Sequence, residues 1–198
     1  MENIQTISVE TQPVQRQPKD YKSDLEPIWC PGCGDYGVLN ALFKAMSQLN
    51  LDPGKTVLVS GIGCSSRLPG FVVTYGFHGV HGRVLPVATG IKLANPELTV
   101  IGVGGDGDGY SIGLGHFPHA ARRNIDITYI VMNNQIYGLT KGQTSPTSSL
   151  QFVTKTTPFG NVEGALNPLQ IAIVSGATFV ARGYSSMPNL SGTRASRW

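Results

Sequence analysis

Three short runs in this chain are apolar from end to end, and each breaks off into a loop of glycines, amides or carboxylates. They are Thr56–Ser60 (TVLVS) before GIGCSS, 98–103 (LTVIGV) before GGDGDG, and 127–132 (ITYIVM) before NNQIYG. A strand that is apolar at every position is covered on both faces, and that condition belongs to parallel sheets. The segments between them read as helices. Residues 36–50 place Val38, Leu39, Leu42, Phe43, Met46 and Leu49 at three-and-four spacing. Residues 84–93 read as a helix stopped by Asn95-Pro96, and further helices are predicted over about 112–123 and 168–175. A last strand is expected at 178–181. The pattern predicts an α/β fold, a parallel sheet with helices on both faces. Ligands of such sheets sit beyond the carboxyl ends of the strands, where the three polar loops gather.

With 198 residues, one domain is expected. Only 14% of residues are charged, against about 25% in ordinary domains, and 40% are hydrophobic. That excludes general disorder and suggests a surface partly covered by a partner. A net charge of +3 does not point to nucleic acid. No apolar run of membrane-spanning length and no secretory signal is evident, so no membrane is expected. Three cysteines, Cys30, Cys33 and Cys64, cannot pair completely, which favours a reducing compartment and a cytoplasmic protein. Residues 1–27 lack apolar periodicity and read as an extended arm, with compact order beginning at Ile28. The domain is expected over 28–185.

Four constellations carry chemistry. Gly105-Asp106-Gly107 precedes Asn133-Asn134, with 28 positions from Asp106 to Asn134. One strand–helix–strand unit separates them, so a carboxylate and an amide oxygen meet at one sheet edge. Such hard ligands suit Mg²⁺ beside a diphosphate, and the flanking glycines would let backbone close on it. Turn chemistry alone is the plainer reading of Asp-Gly and Asn-Asn. Gly102-Val-Gly104-Gly-Asp-Gly107 also fits the dinucleotide fingerprint. That fingerprint needs an acid at the end of the next strand, where Asn133-Asn134 stand, so NAD is disfavoured. Cys30-Pro-Gly-Cys33, with Cys64 on a site loop, suits a metal or cluster, a redox dithiol, or buried structural cysteines. His81, between glycine-rich turns, suits a phosphate donor, an acid–base group or a hydrogen-bonded loop residue. His116 and His119 read as helix residues. The loop Tyr137–Gln143 is long enough to wrap a ligand, and Lys141 is suited to a carboxylate or to solvent.

Together, Cys30-Pro-Gly-Cys33-Gly, Gly61-Ile-Gly-Cys64-Ser, His81-Gly-Arg, Gly105-Asp-Gly-Asp108 and Asn133-Asn-Gln-Ile-Tyr-Gly-Leu-Thr-Lys-Gly-Gln143-Thr-Ser-Pro-Thr resemble the beta subunit of 2-oxoacid:ferredoxin oxidoreductases. The resemblance covers about 28–185 and implies a thiamine diphosphate-binding fold. It implies Mg²⁺ held by Asp106, Asn134 and the carbonyl of Ile136. Thiamine diphosphate would contact Ile62, Gly63, Cys64, Ser65, His81, Gly107, Asp108, Gly138 and Leu139. A [4Fe–4S] cluster would sit on Cys30, Cys33 and Cys64, and Arg67, Leu139 and Lys141 would shape the substrate pocket. The implied reaction is oxidative decarboxylation of a 2-oxoacid to an acyl-CoA, with electrons passed to ferredoxin. The implied partner is an alpha subunit supplying the glutamate that this chain's site loops lack, since Glu97 and Glu163 are poorly placed. Family members continue past residue 184 to a fourth cluster cysteine. Residues 186–198 (SMPNLSGTRASRW) have no apolar periodicity and read as a frameshifted or C-terminally truncated end, leaving the fourth ligand absent from this chain. The alternative is a non-catalytic fragment that binds Mg²⁺–diphosphate or zinc.

Overall fold

The computed structural model describes residues 14–187; the start of the expected arm and the tail beyond Met187 lie outside the described residues. A four-stranded parallel sheet runs through the centre, from β1 (Thr56–Ser60), β2 (Tyr75–His78), β3 (Thr99–Gly105) and β4 (Thr128–Met132). The order is β2-β1-β3-β4. Val57 lies opposite Val100 and Ser60 opposite Val103, while Gly105 lies opposite Met132. Because the strands run in step, the loops after β1, β3 and β4 leave at one edge.

Successive side chains of a strand point to opposite faces, and here each face has its own helix. Leu58, Ile101 and Val103 pack with Leu39, Leu42, Phe43 and Met46 of α1 (Gly34–Gln48). Val57, Val59 and Val100 pack with Val84 and Ala88 of α2 (Val84–Ala94). Double coverage is why these strands are apolar throughout. Each fully buried aliphatic side chain contributes about 1.5–3 kcal/mol relative to exposure. The fold is the expected α/β class, with helices on both faces.

The structure departs from the sequence reading in four places. Order begins before Ile28: a 3-10 turn at Pro18–Tyr21 seats Tyr21, which is fully buried and donates its hydroxyl to the carbonyls of Met46 and Leu51. This anchor and the hydrogen bonds of Gln15 and Arg16 to Ser47 and of Ser23 to Gly70 dock a polar segment that shows no periodicity. The helix expected over 112–123 is split. Over that span a 3-10 turn at Leu114–His116 leads into α4 (Phe117–Arg123), and a separate single turn, α3 (Asp106–Tyr110), precedes it. Pro118 sits in the first turn of α4, where proline starts a helix but would break an interior one. β2 was not foreseen, because an edge strand exposed on every residue carries no apolar alternation. The strand expected at 178–181 does not form; Thr178 bonds instead to Asn124 in the turn after α4.

Two further elements complete the chain: a small antiparallel hairpin, β5 (Ile136–Tyr137) with β6 (Gln143–Thr144), and α5 (Pro168–Val174). Near the end of the described residues Ser185 returns to the first turns of α1, close against Gly34 and Gly37. Among the described residues no helix is long and apolar enough to cross a membrane.

Candidate active site

The loops after β1, β3 and β4 enclose a cleft of about 440 Å³. Of the residues singled out from sequence, Ile62, Gly63, Cys64, Ser65, His81, Asp106, Gly107, Asp108, Asn134, Ile136, Gly138 and Leu139 all line it. Arg67 and Lys141 are exposed and do not, and neither do Cys30 and Cys33. Asp35, Met132, Tyr137, Thr140 and Gln143 line it as well. Asp35 had no signal in the sequence, since only the fold brings the first turn of α1 beside the loop after β1.

Asp106 and Asp108 do different things. The Asp106 carboxylate is buried and accepts hydrogen bonds on Oδ2 from Ser145 Oγ and from Thr147 Oγ1, the latter at 2.7 Å. Asp108 Oδ1 accepts from the backbone N–H of Ile62 (2.9 Å), that of Gly82 (2.8 Å) and from His81 Nδ1 (3.0 Å). Among the described residues, Asp108 Oδ2 is buried without a hydrogen-bond partner. The side chain of Asp108 therefore ties the loop after β1 and the turn before α2 to the end of β3. The bond also sets the tautomer of neutral His81. A carboxylate only accepts, so Nδ1 carries the proton and Nε2 is left as the acceptor.

The glycines divide in the same way. A Cβ on Gly107 would strike the Tyr137 ring at 2.4 Å, so the missing side chain makes room for that ring. The Tyr137 hydroxyl donates to the Gly107 carbonyl across that contact. Gly63 has φ +121, and a Cβ there would meet nothing within 4 Å. Its bare backbone faces open space at the cleft wall, the cradle that close approach of a ligand requires.

Asn134, in the loop after β4, lines the same cleft as Asp106, and its amide oxygen accepts from the Ile136 N–H at 3.1 Å. Asn133 Oδ1 accepts from the Gln135 N–H and lies 2.9 Å from Thr147 Oγ1, whose one proton goes to Asp106 at the shorter distance. Asp106 and the Asn134 amide are hard oxygen donors, and an amide oxygen keeps a second lone pair. With the Gly63 cradle beside them, the residues present fit a small divalent cation bridging to a diphosphate.

The cysteine loop is fixed to the same wall. Trp29 Nε1 donates to the Cys64 carbonyl at 2.7 Å, and its ring packs edge-on against Tyr36 and Phe71. Burial pushes the Cys64 thiol up, and the nearby charges of Asp35, Cys33 and Cys30 push in the same direction. Burial likewise raises the Cys33 thiol and the Asp35 carboxyl, which hydrogen-bond to each other. The three thiols thus bear on one another across the loop. Among the described residues, however, no three Cys, His, Asp or Glu side chains are close enough to hold one metal ion. Three thiols are one short of the four that an iron–sulfur cluster takes.

This site, hard oxygen ligands at one sheet edge beside a bare glycine cradle, defines a diphosphate-cofactor domain of the doubly covered α/β class. Residues 61–191 match the family of thiamine pyrophosphate enzymes, C-terminal TPP binding domain. The chain belongs to that family and, within it, to the beta subunits of 2-oxoacid:ferredoxin oxidoreductases. It is 54% identical over 165 residues to subunit beta of 2-oxoacid:ferredoxin oxidoreductase 1 of Aeropyrum pernix, covering 83% of this chain and 52% of that protein. It is 52% identical over 171 residues to the 2-oxoglutarate oxidoreductase subunit KorB of Mycobacterium tuberculosis, covering 86% and 46%. Among solved structures, a 2-oxoglutarate:ferredoxin oxidoreductase from Magnetococcus marinus, with 2-oxoglutarate, coenzyme A and succinyl-CoA bound, superposes with a TM-score of 0.90. That match has 50% identity and covers 91% of this chain and 62% of that one. The chain spans about half the length of the curated relatives it matches.

Proposed function

We propose that this chain is the cofactor-holding part of an oxidoreductase that converts a 2-oxoacid and coenzyme A to an acyl-CoA. Asp106, Asn134 and the Ile136 carbonyl would hold Mg²⁺ and, with it, the diphosphate of thiamine diphosphate in the cleft. When bound, thiamine diphosphate supplies the electron sink for breaking the bond between the 2-oxo carbon and its carboxylate. The protein's own part is placement. The Gly63 backbone and the loop from Ile62 to Ser65 line one wall, and Gly138 and Leu139 line the other. Asp108 holds His81 by Nδ1, so that Nε2 takes up or returns a proton within the cleft. Cys30, Cys33 and Cys64 would supply three ligands of a [4Fe–4S] cluster, with a fourth from beyond these three thiols, and such a cluster would supply the electron outlet toward ferredoxin. An alpha subunit completes the site. Arg67 and Lys141, exposed at the ends of site loops, are the cations a substrate carboxylate meets on entry.

The observation that carries this reading is the meeting of Asp106 and Asn134, from neighbouring strand ends, in one cleft with the Gly63 cradle. Its test is cofactor retention. The chain is equilibrated with thiamine diphosphate and Mg²⁺, passed through gel filtration, and assayed for bound thiamine. The wild type retains cofactor and Asp106→Ala loses it, because the diphosphate then has no cation bridge. Equal retention by the two proteins refutes the ligand assignment. Iron and sulfide analysis of the complex with the partner subunit checks the cluster. About four irons per chain are expected. Zinc in their place favours the non-catalytic fragment.

A further inference from the structure

We propose that Ser145 and Thr147 are positioning residues that hold Asp106 as a one-oxygen ligand, and so set the site's preference for Mg²⁺ over the larger Ca²⁺. The inference rests on Asp106 being the cation ligand of the proposed function. Both hydroxyls converge on the same atom: Ser145 Oγ and Thr147 Oγ1 donate to Asp106 Oδ2. An oxygen that accepts two hydroxyl protons is turned into the protein, and only Oδ1 is left to a cation. The hydroxyls are held in turn. Ser145 donates its N–H to Ser148 Oγ at 2.8 Å, Ser148 Oγ donates to the Gln135 carbonyl at 2.6 Å, and Thr147 Oγ1 lies 2.9 Å from Asn133 Oδ1. Ser145, Thr147 and Ser148 are all buried. Buried hydroxyls are costly unless bonded, and these three bond the carboxylate to the loop that carries Asn134. The same stitches hold the two side-chain ligands in one mutual geometry.

Cation size connects this geometry to selectivity. Mg²⁺ takes six oxygens in near-ideal octahedral geometry, whereas Ca²⁺ takes 6–8 and accepts carboxylates through both oxygens. A carboxylate with one oxygen tied down suits the first and handicaps the second. Removing a hydroxyl releases Oδ2 and removes the handicap.

The experiment uses the full chain with thiamine diphosphate, titrated calorimetrically with Mg²⁺ and separately with Ca²⁺, for the wild type, Thr147→Val, Thr147→Ser and Ser145→Ala. Thr147→Val is expected to weaken Mg²⁺ binding roughly 10–100-fold. Ca²⁺ binding falls less, so the affinity ratio moves toward Ca²⁺. Ser145→Ala moves it the same way, and Thr147→Ser, which keeps the hydroxyl, restores the wild-type ratio. If Thr147→Val does not fold, the ratio in Ser145→Ala decides. An unmoved ratio in the hydroxyl-less variants, or Thr147→Ser behaving like Thr147→Val, overturns the inference and leaves the proposed function standing. A wild-type chain that binds neither cation with thiamine diphosphate overturns both.

Discussion

Asp108 and Asp106 stand two residues apart, and their carboxylates belong to different parts of the molecule. From spacing alone, only Asp106 pairs with Asn134, and loss of Asp108 would be the milder change. The structure alters that expectation, because Asp108 Oδ1 gathers two backbone N–H groups and the His81 ring in a buried place. Asp108→Ala leaves the Ile62 and Gly82 donors without their acceptor. It is expected to cost roughly 2–5 kcal/mol of unfolding stability, read from the midpoint of a urea transition. Asp106→Ala is distinguished by losing cofactor at a smaller cost in stability. A small stability loss in Asp108→Ala, with cofactor loss equal to that of Asp106→Ala, returns Asp108 to the role of a ligand contact. Spacing revealed both aspartates and could not rank them, since burial and the direction of a side chain are not sequence properties.

At the scale of elements, the clearest case is the segment before the cysteine loop. Residues 14–27 are polar, yet Tyr21 is buried under α1 and satisfies the Met46 and Leu51 carbonyls just past its packed face. Burial also raises the Tyr21 hydroxyl above the ordinary tyrosine range, so it stays protonated and able to donate. Tyr21→Phe is expected to cost about 1–3 kcal/mol through the Leu51 carbonyl left without its hydroxyl donor, the Met46 carbonyl keeping the Leu51 N–H. Tyr21→Ala is expected to cost roughly 3–5 kcal/mol, with the cavity added. Both are read by thermal and urea unfolding, and no change in either shows that the segment is not part of the folding unit. α1, α2 and the three buried strands were legible because their apolar spacing is strong. β2 was not, because an edge strand exposed on all four residues leaves no pattern to read. The split of the expected helix at 112–123 was signalled by Pro118, inside an apolar run that concealed it.

Across the whole molecule, the acidic residues lining the cleft are Asp35, Asp106 and Asp108, with no glutamate among its described lining. Phe159, Val162 and Val174 are each more than four-fifths exposed, apolar surface that the proposed partner subunit would cover. The chain purified alone is therefore expected to bind thiamine diphosphate with Mg²⁺ and to show no 2-oxoglutarate- and coenzyme A-dependent viologen reduction. Activity should return when the partner subunit is co-purified. Turnover by the isolated chain refutes the need for a partner. The sequence by itself determined the sheet, its two covered faces and the edge where the site lies. Runs of apolar residues and the loops that end them are local patterns, and burial on both faces leaves them few alternatives. It also determined which residue types meet at that edge, because one strand–helix–strand unit returns the chain to the same side. Only the tertiary structure decided which loops each carboxylate is bonded to. It alone brought Asp35, Ser145 and Thr147 to the site from 71 and 39 to 41 positions away from Asp106. Such contacts depend on how distant loops fold over one another, and no local spacing encodes that.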